Sequence, residues 1–296
     1  MGKSLKQIIS ILDPPPFHMV GDGFRVHNFF PSQDQIGLQG MSPFFLLDYG
    51  AKWNVPPSGK QRGVGVHPHR GIETVTLAYH GKVAHHDSAG HSGIIGEGDV
   101  QWMTAGGGVL HKEYHEKEFS LKGGLMQMVQ LWVNLPAKNK MTPARYQSIE
   151  NQKMGKFISG DRKYSADIIA GEYIGIKGPA MTFSPVNLFN VKLNQGAIAD
   201  FSFPETFNSG ILVTEGNVTI NRSEKVMENR FVYFGHSGEE IIVEALQEST
   251  ILVMSGEPIN EPIAPHGPFV MNTREEIQKA YEDFYNGHFG YLEDQD

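Results

Sequence analysis

The chain has 296 residues, 40% hydrophobic and 20% charged, a composition typical of globular proteins with one large domain or two ordinary ones. Its 33 acidic and 25 basic residues give a formal charge of −8. The sequence has no cluster of basic residues that could contact successive phosphates, which disfavours direct nucleic-acid binding. Cysteine is absent, so a bound metal would need histidine and carboxylate ligands.

An apolar run over residues 8–12 is the first predicted element. It is too short for the hydrophobic core of a signal peptide or for a membrane span, and the prolines at 14–16 end it. We therefore expect a cytoplasmic protein that has no membrane partner.

The most informative stretch begins at a His-Pro-His sequence. His67 and His69 are two residues apart, and His111 and Glu113 repeat that spacing downstream. On a β-strand, residues i and i+2 face the same side, so each pair predicts two side chains that point together. The apolar runs between the pairs are punctuated by glycine, as in antiparallel strands that close into a barrel. The pattern predicts a metal site on the inner wall of a β-barrel, with these four residues as candidate ligands.

The other histidines and the glycines of this stretch have simpler interpretations. Residues 106–108 are three glycines that precede a strand and no helix, so they predict a turn rather than a phosphate site. Because four ligands already suffice, we expect solvated or hydrogen-bonded positions, and no ligation, for His80, His85, His86, His91 and His115.

A weak internal repeat divides the chain. Residues 77–83 (LAYHGKV) resemble residues 212–218 (LVTEGNV), and each is an apolar strand that turns at a glycine into another strand. The repeat predicts two similar barrels, with the join in a polar, turn-like segment. We expect an N-terminal barrel that carries the metal site at 1–135, a linker at 136–145 and a C-terminal barrel at 146–296.

The two halves differ in chemistry. Ten of the 13 histidines fall at or before His115, and the positions that the repeat aligns with the His-Pro-His lie near Ser202 and Pro204. Neither side chain can replace an imidazole. The sequence therefore predicts a C-terminal barrel without a metal, serving as a wall, a lid or a packing partner.

A short helix is predicted near the end of the chain. Thr273 lies three residues before Glu276, which is the spacing of a capping box, and Gly287 is a plausible stop. Its apolar residues have helical i, i+3, i+4, i+7 spacing and predict one face that covers a barrel surface: Ile277, Ala280, Tyr281 and Phe284.

Two long runs resemble the signature of the pirin family, within the cupin superfamily: residues 67–76 (HPHRGIETVT) and residues 98–106 (GDVQWMTAG). Residues 256–259 and 267–273 also resemble the C-terminal sequence of pirins. The resemblance implies an all-β bicupin, two antiparallel β-barrels packed together with a short C-terminal helix, and one mononuclear iron in the N-terminal barrel. The implied iron ligands are His67, His69, His111 and Glu113.

The carboxylate ligand and the metal both have alternatives. General cupins often ligate through a Glu four residues after the second His, which here is Glu73; we favour Glu113, which shares a strand face with His111. Glu73 could instead lie beside the ligands or pair with Arg70. Three imidazoles and a carboxylate suit Fe(II), and equally Mn, Ni, Cu or Zn, so iron follows from the resemblance alone.

The resemblance further implies quercetin 2,3-dioxygenase activity, in which O₂ cleaves the central ring of a flavonol and carbon monoxide is released. Glu113 would then be both ligand and catalytic base for the flavonol 3-hydroxyl. Some eukaryotic pirins are described as nuclear cofactors of transcription, so the alternative is a non-enzymatic, metal-dependent or redox-sensing regulatory protein that binds a protein partner. A cupin acting on another substrate is a third possibility. Six residues are candidates for lining a pocket that holds a flat aromatic substrate, although each is also compatible with an ordinary core position: Phe44, Trp53, Trp102, Met103, Met126 and Met128.

Overall fold

The computed structural model describes residues 4–294, which form mostly antiparallel β-strands. The strands of the first half are β1 (Ile8–Leu12), β2 (His18–Val20), β3 (Phe24–Phe30), β4 (Phe44–Val55), β5 (Gly63–His69), β6 (Ile72–His80), β7 (Val83–Asp87), β8 (Ser92–Ile95), β9 (Val100–Thr104), β10 (Val109–His115), β11 (Gly124–Asn134) and β12 (Arg145–Ile149). Helix α1 (Lys117–Lys122) precedes β11, and short 3₁₀ turns cover Ala137–Asn139 and Asn151–Lys153.

The second half continues the pattern and ends in a helix. Its strands are β13 (Gly155–Ile158), β14 (Tyr164–Ala170), β15 (Glu172–Tyr173), β16 (Ile176–Lys177), β17 (Val186–Leu193), β18 (Ile198–Ser202), β19 (Asn208–Glu215), β20 (Asn217–Ile220), β21 (Glu224–Met227), β22 (Phe231–Phe234), β23 (Glu240–Ala245), β24 (Ser249–Gly256), β25 (Ala264–His266) and β26 (Phe269–Met271). Helix α2 (Arg274–Tyr285) follows.

The C-terminal barrel comprises residues 4–15, 31–43 and 152–258. It has a seven-stranded sheet in the order β1-β22-β19-β24-β17-β14-β13 and a four-stranded sheet in the order β18-β23-β20-β21. Apolar side chains from both sheets form one continuous core, which includes Phe189, Phe201 and Phe203. The segment that the repeat aligns with the His-Pro-His therefore contributes phenylalanines to a packed interior.

The N-terminal barrel comprises residues 16–30, 44–151 and 259–294. Its sheets repeat the same plan, with seven strands in the order β12-β9-β6-β11-β4-β3-β2 and four in the order β5-β10-β7-β8. The repeat is confirmed at its glycine turns, since β6 turns at Gly81 into β7 as β19 turns at Gly216 into β20, both glycines with positive φ. The fold is therefore the all-β bicupin that the sequence predicts.

The division of the chain differs from the expected domains 1–135 and 146–296. Strand β1 pairs with β22 and belongs to the C-terminal barrel, whereas β12 pairs with β9 in the N-terminal barrel. The expected linker 136–145 includes Lys140, whose buried Nζ donates hydrogen bonds to the Gly71 carbonyl (2.9 Å) and the Val270 carbonyl (2.7 Å). Hydrogen bonds between segments that are distant in sequence determine these domain boundaries. Local sequence composition therefore cannot predict the boundaries.

The predicted C-terminal helix is confirmed, with both hydrogen bonds of the Thr273–Glu276 capping box in place and Gly287 at positive φ just beyond its end. Its apolar face packs in a cluster with Phe269, Phe289 and Leu110, the last on β10. Within residues 4–294, no helix is long and apolar enough to cross a membrane.

Helix α2 also supplies a counter-charge to a buried cation. Arg70 is 4% exposed; its Nη1 lies 2.9 Å from Asp283 Oδ2, its Nε donates to the Gly107 carbonyl, and its guanidinium lies over the Phe289 ring. Hydrogen bonds from Lys279 and then from Arg70 outweigh the opposing effect of burial and hold the pKa of Asp283 below its ordinary value. Helix α2 is thus linked by an ion pair to Arg70, the residue that follows His69.

Replacing Asp283 by asparagine should lower the free energy of unfolding at pH 7 by about 3 kcal/mol, because the buried Arg70 loses its carboxylate. A carboxylate with a depressed pKa contributes stability that is present above its unfolded pKa and is lost as the pH falls through its folded pKa. The difference between wild type and variant should therefore begin to shrink below about pH 4 and disappear only below the lowered pKa of Asp283. Urea unfolding at pH 7 and pH 3 measures both effects. The control is Lys279→Met. Lys279 also contacts the Asp283 carboxylate, but its side chain is 61% exposed and solvent screens the ion pair, so its loss should cost less than about 1 kcal/mol. Equal effects of the two variants at pH 7 would contradict the assignment of Arg70 as the main partner.

Candidate metal centre

Two antiparallel strands carry the predicted ligands. His67 and His69 lie on β5, His111 and Glu113 lie on β10, and the register places His111 opposite His67. The pairing shifts between His111 and Glu113, where Glu113 is opposite Val64. Bulges of this kind re-aim side chains beside functional sites. The structure thus confirms the strand assignment and the shared faces on which the prediction rested.

Three imidazoles come together at this point. The ligand nitrogens of His67, His69 and His111 lie within 4.8 Å of one another. Nδ1 of His67 lies 2.8 Å from the Gly65 carbonyl, and Nδ1 of His69 lies 3.0 Å from the Pro268 carbonyl, so each Nδ1–H donates to the backbone and leaves Nε2 with its lone pair.

The third histidine offers the same nitrogen. His111 is 1% exposed, and its Nε2 is a buried polar atom without a hydrogen-bond partner among the described residues. A buried nitrogen without a partner is costly in a native fold unless something binds it. Backbone or side-chain partners on Nδ1, with Nε2 left for an ion, are the usual arrangement of metal-bound histidine. The residues present therefore fit a metal ion.

Burial keeps the three rings uncharged. Desolvation, with His67 nearby, lowers the pKa of His69 to about 3, and desolvation and the neighbouring histidines hold the pKa of His111 well below its ordinary range. The pKa of His67 is also lowered, again mainly by burial. Since only the neutral imidazole can ligate a metal, the site is ready to bind one without first releasing protons.

The Glu113 carboxylate lies on the β10 face of His111 and is held by polar side chains. Within residues 4–294, the group whose possible ligand atoms all lie within 4.8 Å of one another comprises the three histidines without Glu113. Its Oε1 accepts hydrogen bonds from Thr76 (3.0 Å) and Gln101, and its Oε2 accepts one from Gln130 (2.6 Å). Each carboxylate oxygen has two lone pairs, so these bonds leave capacity for a ligand or a proton. The structure fixes the orientation of Glu113, and its role as the fourth ligand stays a prediction.

Glu73, the alternative carboxylate, lies on the other face of its strand. It is three residues before Thr76 on β6, and strand alternation turns the two side chains to opposite sides. Glu73 accepts a hydrogen bond from Thr104 (2.7 Å) and lies 3.7 Å from the Arg145 guanidinium. The alternative in which Glu73 pairs with Arg70 is therefore wrong, because Arg70 pairs with Asp283.

Two aromatic rings beside the site were not anticipated. Trp132 packs edge-on against His69 at 4.9 Å between ring centroids, and Tyr146 stacks on His85 at 4.8 Å. Alternation along β11 could have revealed Trp132, since Gln130 lies on the same face. Tyr146 gave no such signal, because the predicted boundary placed it in the other barrel.

Most of the candidate lining residues belong to the ordinary core. Trp53, Met126 and Met128 pack in the apolar cluster of the N-terminal barrel, and Met103 packs with Tyr146 in a smaller one. Trp102 alternates with Gln101 on β9 and so faces away from Glu113. Phe44 is buried as well. The turn predicted at 106–108 is confirmed, with positive φ at Gly106 and Gly108.

Comparison with known proteins identifies this architecture. Residues 23–133 match the pirin family, and residues 188–290 match the pirin C-terminal cupin domain. A Pseudomonas aeruginosa protein provisionally named a quercetin 2,3-dioxygenase is 44% identical over 285 residues, which cover 96% of this chain and 99% of that protein. The chain belongs to the pirin family.

Two further similar proteins carry different names. Human pirin is 35% identical over 297 aligned residues, covering 98% of this chain and 96% of its own. A crystal structure titled quercetin 2,3-dioxygenase, from Acinetobacter baumannii, superimposes with a TM-score of 0.92 at 46% identity and covers 98% of this chain and all of that one. The pirin resemblance seen in the sequence is thus confirmed over nearly the whole chain.

Proposed function

We propose that this pirin is a metal-dependent dioxygenase that cleaves a flavonol such as quercetin with O₂. The observation that carries the proposal is the convergence of three uncharged histidines, each with Nε2 left for an ion, beside a fixed carboxylate. Relatives at 44% and 46% identity that bear the name of this activity support the choice of reaction.

His67, His69, His111 and Glu113 would hold the metal, and we propose Fe(II), although Mn, Ni, Cu or Zn fit the same nitrogen and oxygen ligands. A metal held by these residues would act as a Lewis acid that polarises the substrate oxygen and O₂.

The residues around the proposed metal position would have separate roles in the reaction. Glu113 would take the proton of the flavonol 3-hydroxyl, and the hydrogen bonds from Thr76, Gln101 and Gln130 hold its carboxylate in one orientation for that transfer. Trp132, whose ring centroid lies 4.9 Å from that of His69, would contact a flat aromatic substrate bound beside the ligands.

Anaerobic loading with Fe(II), followed by quercetin and O₂, tests the proposal. We expect loss of the flavonol absorbance with release of about one carbon monoxide per quercetin consumed, which is the stoichiometry of the ring cleavage. A flavone that lacks the 3-hydroxyl is the matched substrate control and should not be consumed, since it has no proton for Glu113 to remove. His69→Ala is the protein control and should be inactive.

Metal binding without consumption of any flavonol would refute the proposed reaction. It would favour the alternative, a non-enzymatic metal-dependent regulatory protein that binds a protein partner.

A further inference from the structure

Behind His111 lies a buried polar cluster that the proposed reaction does not use. Strand β7 pairs with β10 so that Asp87 is opposite His111 and His85 is opposite Glu113. Directly paired residues share a face, so His85 and Asp87 lie on the same side of this sheet as the two candidate ligands. Their side chains are 1% and 0% exposed.

A continuous chain of contacts connects this cluster with the metal centre. His111 Nδ1 lies 3.5 Å from His85 Nδ1, and His85 Nε2 lies 3.2 Å from Asp87 Oδ2. His91, whose side chain is 36% exposed, completes the chain with its Nδ1 at 3.0 Å from the same carboxylate oxygen. The contacts therefore extend from a candidate ligand through two buried groups to a solvent-accessible histidine.

The proton positions along the chain follow from the chemistry of imidazole. If Nε2 of His111 binds an ion, Nδ1 of that ring carries the hydrogen and donates to His85 Nδ1. His85 Nδ1 is then the acceptor, so its hydrogen is on Nε2 and points at Asp87. The carboxylate can only accept. With both imidazoles neutral, one arrangement of hydrogens satisfies every contact, and in it His111 presents a lone pair at Nε2.

Asp87 is itself well fixed. Although burial opposes ionisation, the hydrogen bond from His85 and the backbone N–H of His91 hold the pKa of Asp87 below its ordinary value. Its Oδ1 also accepts from the backbone N–H of Ala89. Tyr146 restrains the His85 ring by stacking on it, with an interplanar angle of 16°. Neither member of the pair is free to reorient.

We propose that His85 and Asp87 are positioning residues for the metal, which fix the tautomer and ring orientation of His111. The inference rests on the proposed metal centre and adds to it a second layer of residues that touch neither the ion nor the substrate. Such outer partners typically contribute 10- to 100-fold to metal affinity.

The test measures Co(II) affinity of the metal-free protein by competition with a chromophoric chelator, together with the visible spectrum of bound Co(II). His85→Phe keeps the ring volume and the stacking on Tyr146 but removes the acceptor for His111. His85→Asn restores an acceptor near the Nδ1 position. The matched control is His86→Phe, the next residue on β7, whose Nδ1 contacts Tyr114 on the opposite face of the strand.

We expect His85→Phe to weaken Co(II) binding 10- to 100-fold and to shift the visible bands, His85→Asn to recover part of the loss, and His86→Phe to bind within about twofold of wild type. Asp87→Asn is the second variant. Its amide would donate where the carboxylate accepted, forcing the wrong tautomer on His85, so we expect a loss similar to that of His85→Phe.

Wild-type affinity and spectrum in both His85→Phe and Asp87→Asn would overturn the inference. The inference would also be overturned if His85→Phe and His85→Asn lost Co(II) affinity equally and lost thermal stability equally in their metal-free forms. That result would mean that His85 has a structural role. A wild-type protein that binds no Co(II) would refute the metal centre itself. Because no substrate is present, absence of quercetin turnover would bear only on the proposed reaction.

Discussion

His69→Asn should abolish tight metal binding while leaving the fold intact. The asparagine amide can still donate to the Pro268 carbonyl, as Nδ1 of His69 does, but nothing replaces Nε2 as a ligand. A metal-binding free energy of about 10–16 kcal/mol shared by the four proposed ligands gives about 2.5–4 kcal/mol for each, so the dissociation constant should rise by about 60- to 700-fold.

Isothermal titration of metal into the metal-free variant measures this effect, and thermal unfolding of the same sample shows whether the fold is retained. The matched control is His80→Ala, which removes a more exposed histidine of the same barrel whose Nδ1 contacts Glu97. We expect one ion per chain with wild-type affinity in that control. Wild-type affinity in a folded His69→Asn protein would mean that the metal binds elsewhere.

Glu113→Gln is expected to separate ligation from proton transfer. A glutamine keeps a ligating oxygen but cannot accept the substrate proton, so metal should stay bound, at reduced affinity, while turnover falls by about 10²- to 10⁴-fold, the usual contribution of a general base. The amides of Gln101 and Gln130 can rotate to present oxygen to the new amide, so the surrounding hydrogen bonds can be re-formed.

Single-turnover kinetics on metal-loaded protein, with metal content measured on the same sample, checks this prediction. If turnover and metal are lost together, ligation is the main role of Glu113. If turnover per bound metal is unchanged, Glu113 is not the base. Glu113→Asp is a useful comparison because it keeps a base of the same kind at a shorter reach, so part of the activity should return relative to the glutamine variant.

The ligand strands could be predicted because their information is local. The spacing of two residues within each pair, His67 with His69 and His111 with Glu113, needs only strand alternation to place each pair on one face. The C-terminal helix was equally accessible, since its capping box at Thr273 and its apolar spacing lie within a few residues.

The domain boundaries and the outer residues depend on pairing between distant strands. Strand β1 joins the C-terminal barrel through β22, more than 200 residues later, and Tyr146 joins the metal-bearing barrel through β9. His85 lies beside His111 only because β7 and β10 pair in the observed register. A single sequence does not specify register between strands this far apart, so it predicts no part in the site for these residues.

The hydrogen-bond partner of His69 could not be predicted from the sequence for the same reason. Pro268 follows His69 by 199 residues, and its carbonyl reaches His69 because segment 259–294 returns to the N-terminal barrel. The sequence suggested only that this region covers a barrel surface. Its role in orienting a candidate ligand became visible with the tertiary structure.

Anomalous diffraction from crystals grown with Zn(II) tests most directly whether the three histidines form a metal centre. We expect one strong peak about 2.0–2.1 Å from Nε2 of His67, His69 and His111, with a Glu113 oxygen at about 2.0–2.2 Å. A strong peak elsewhere, with none between the three histidines, would contradict it.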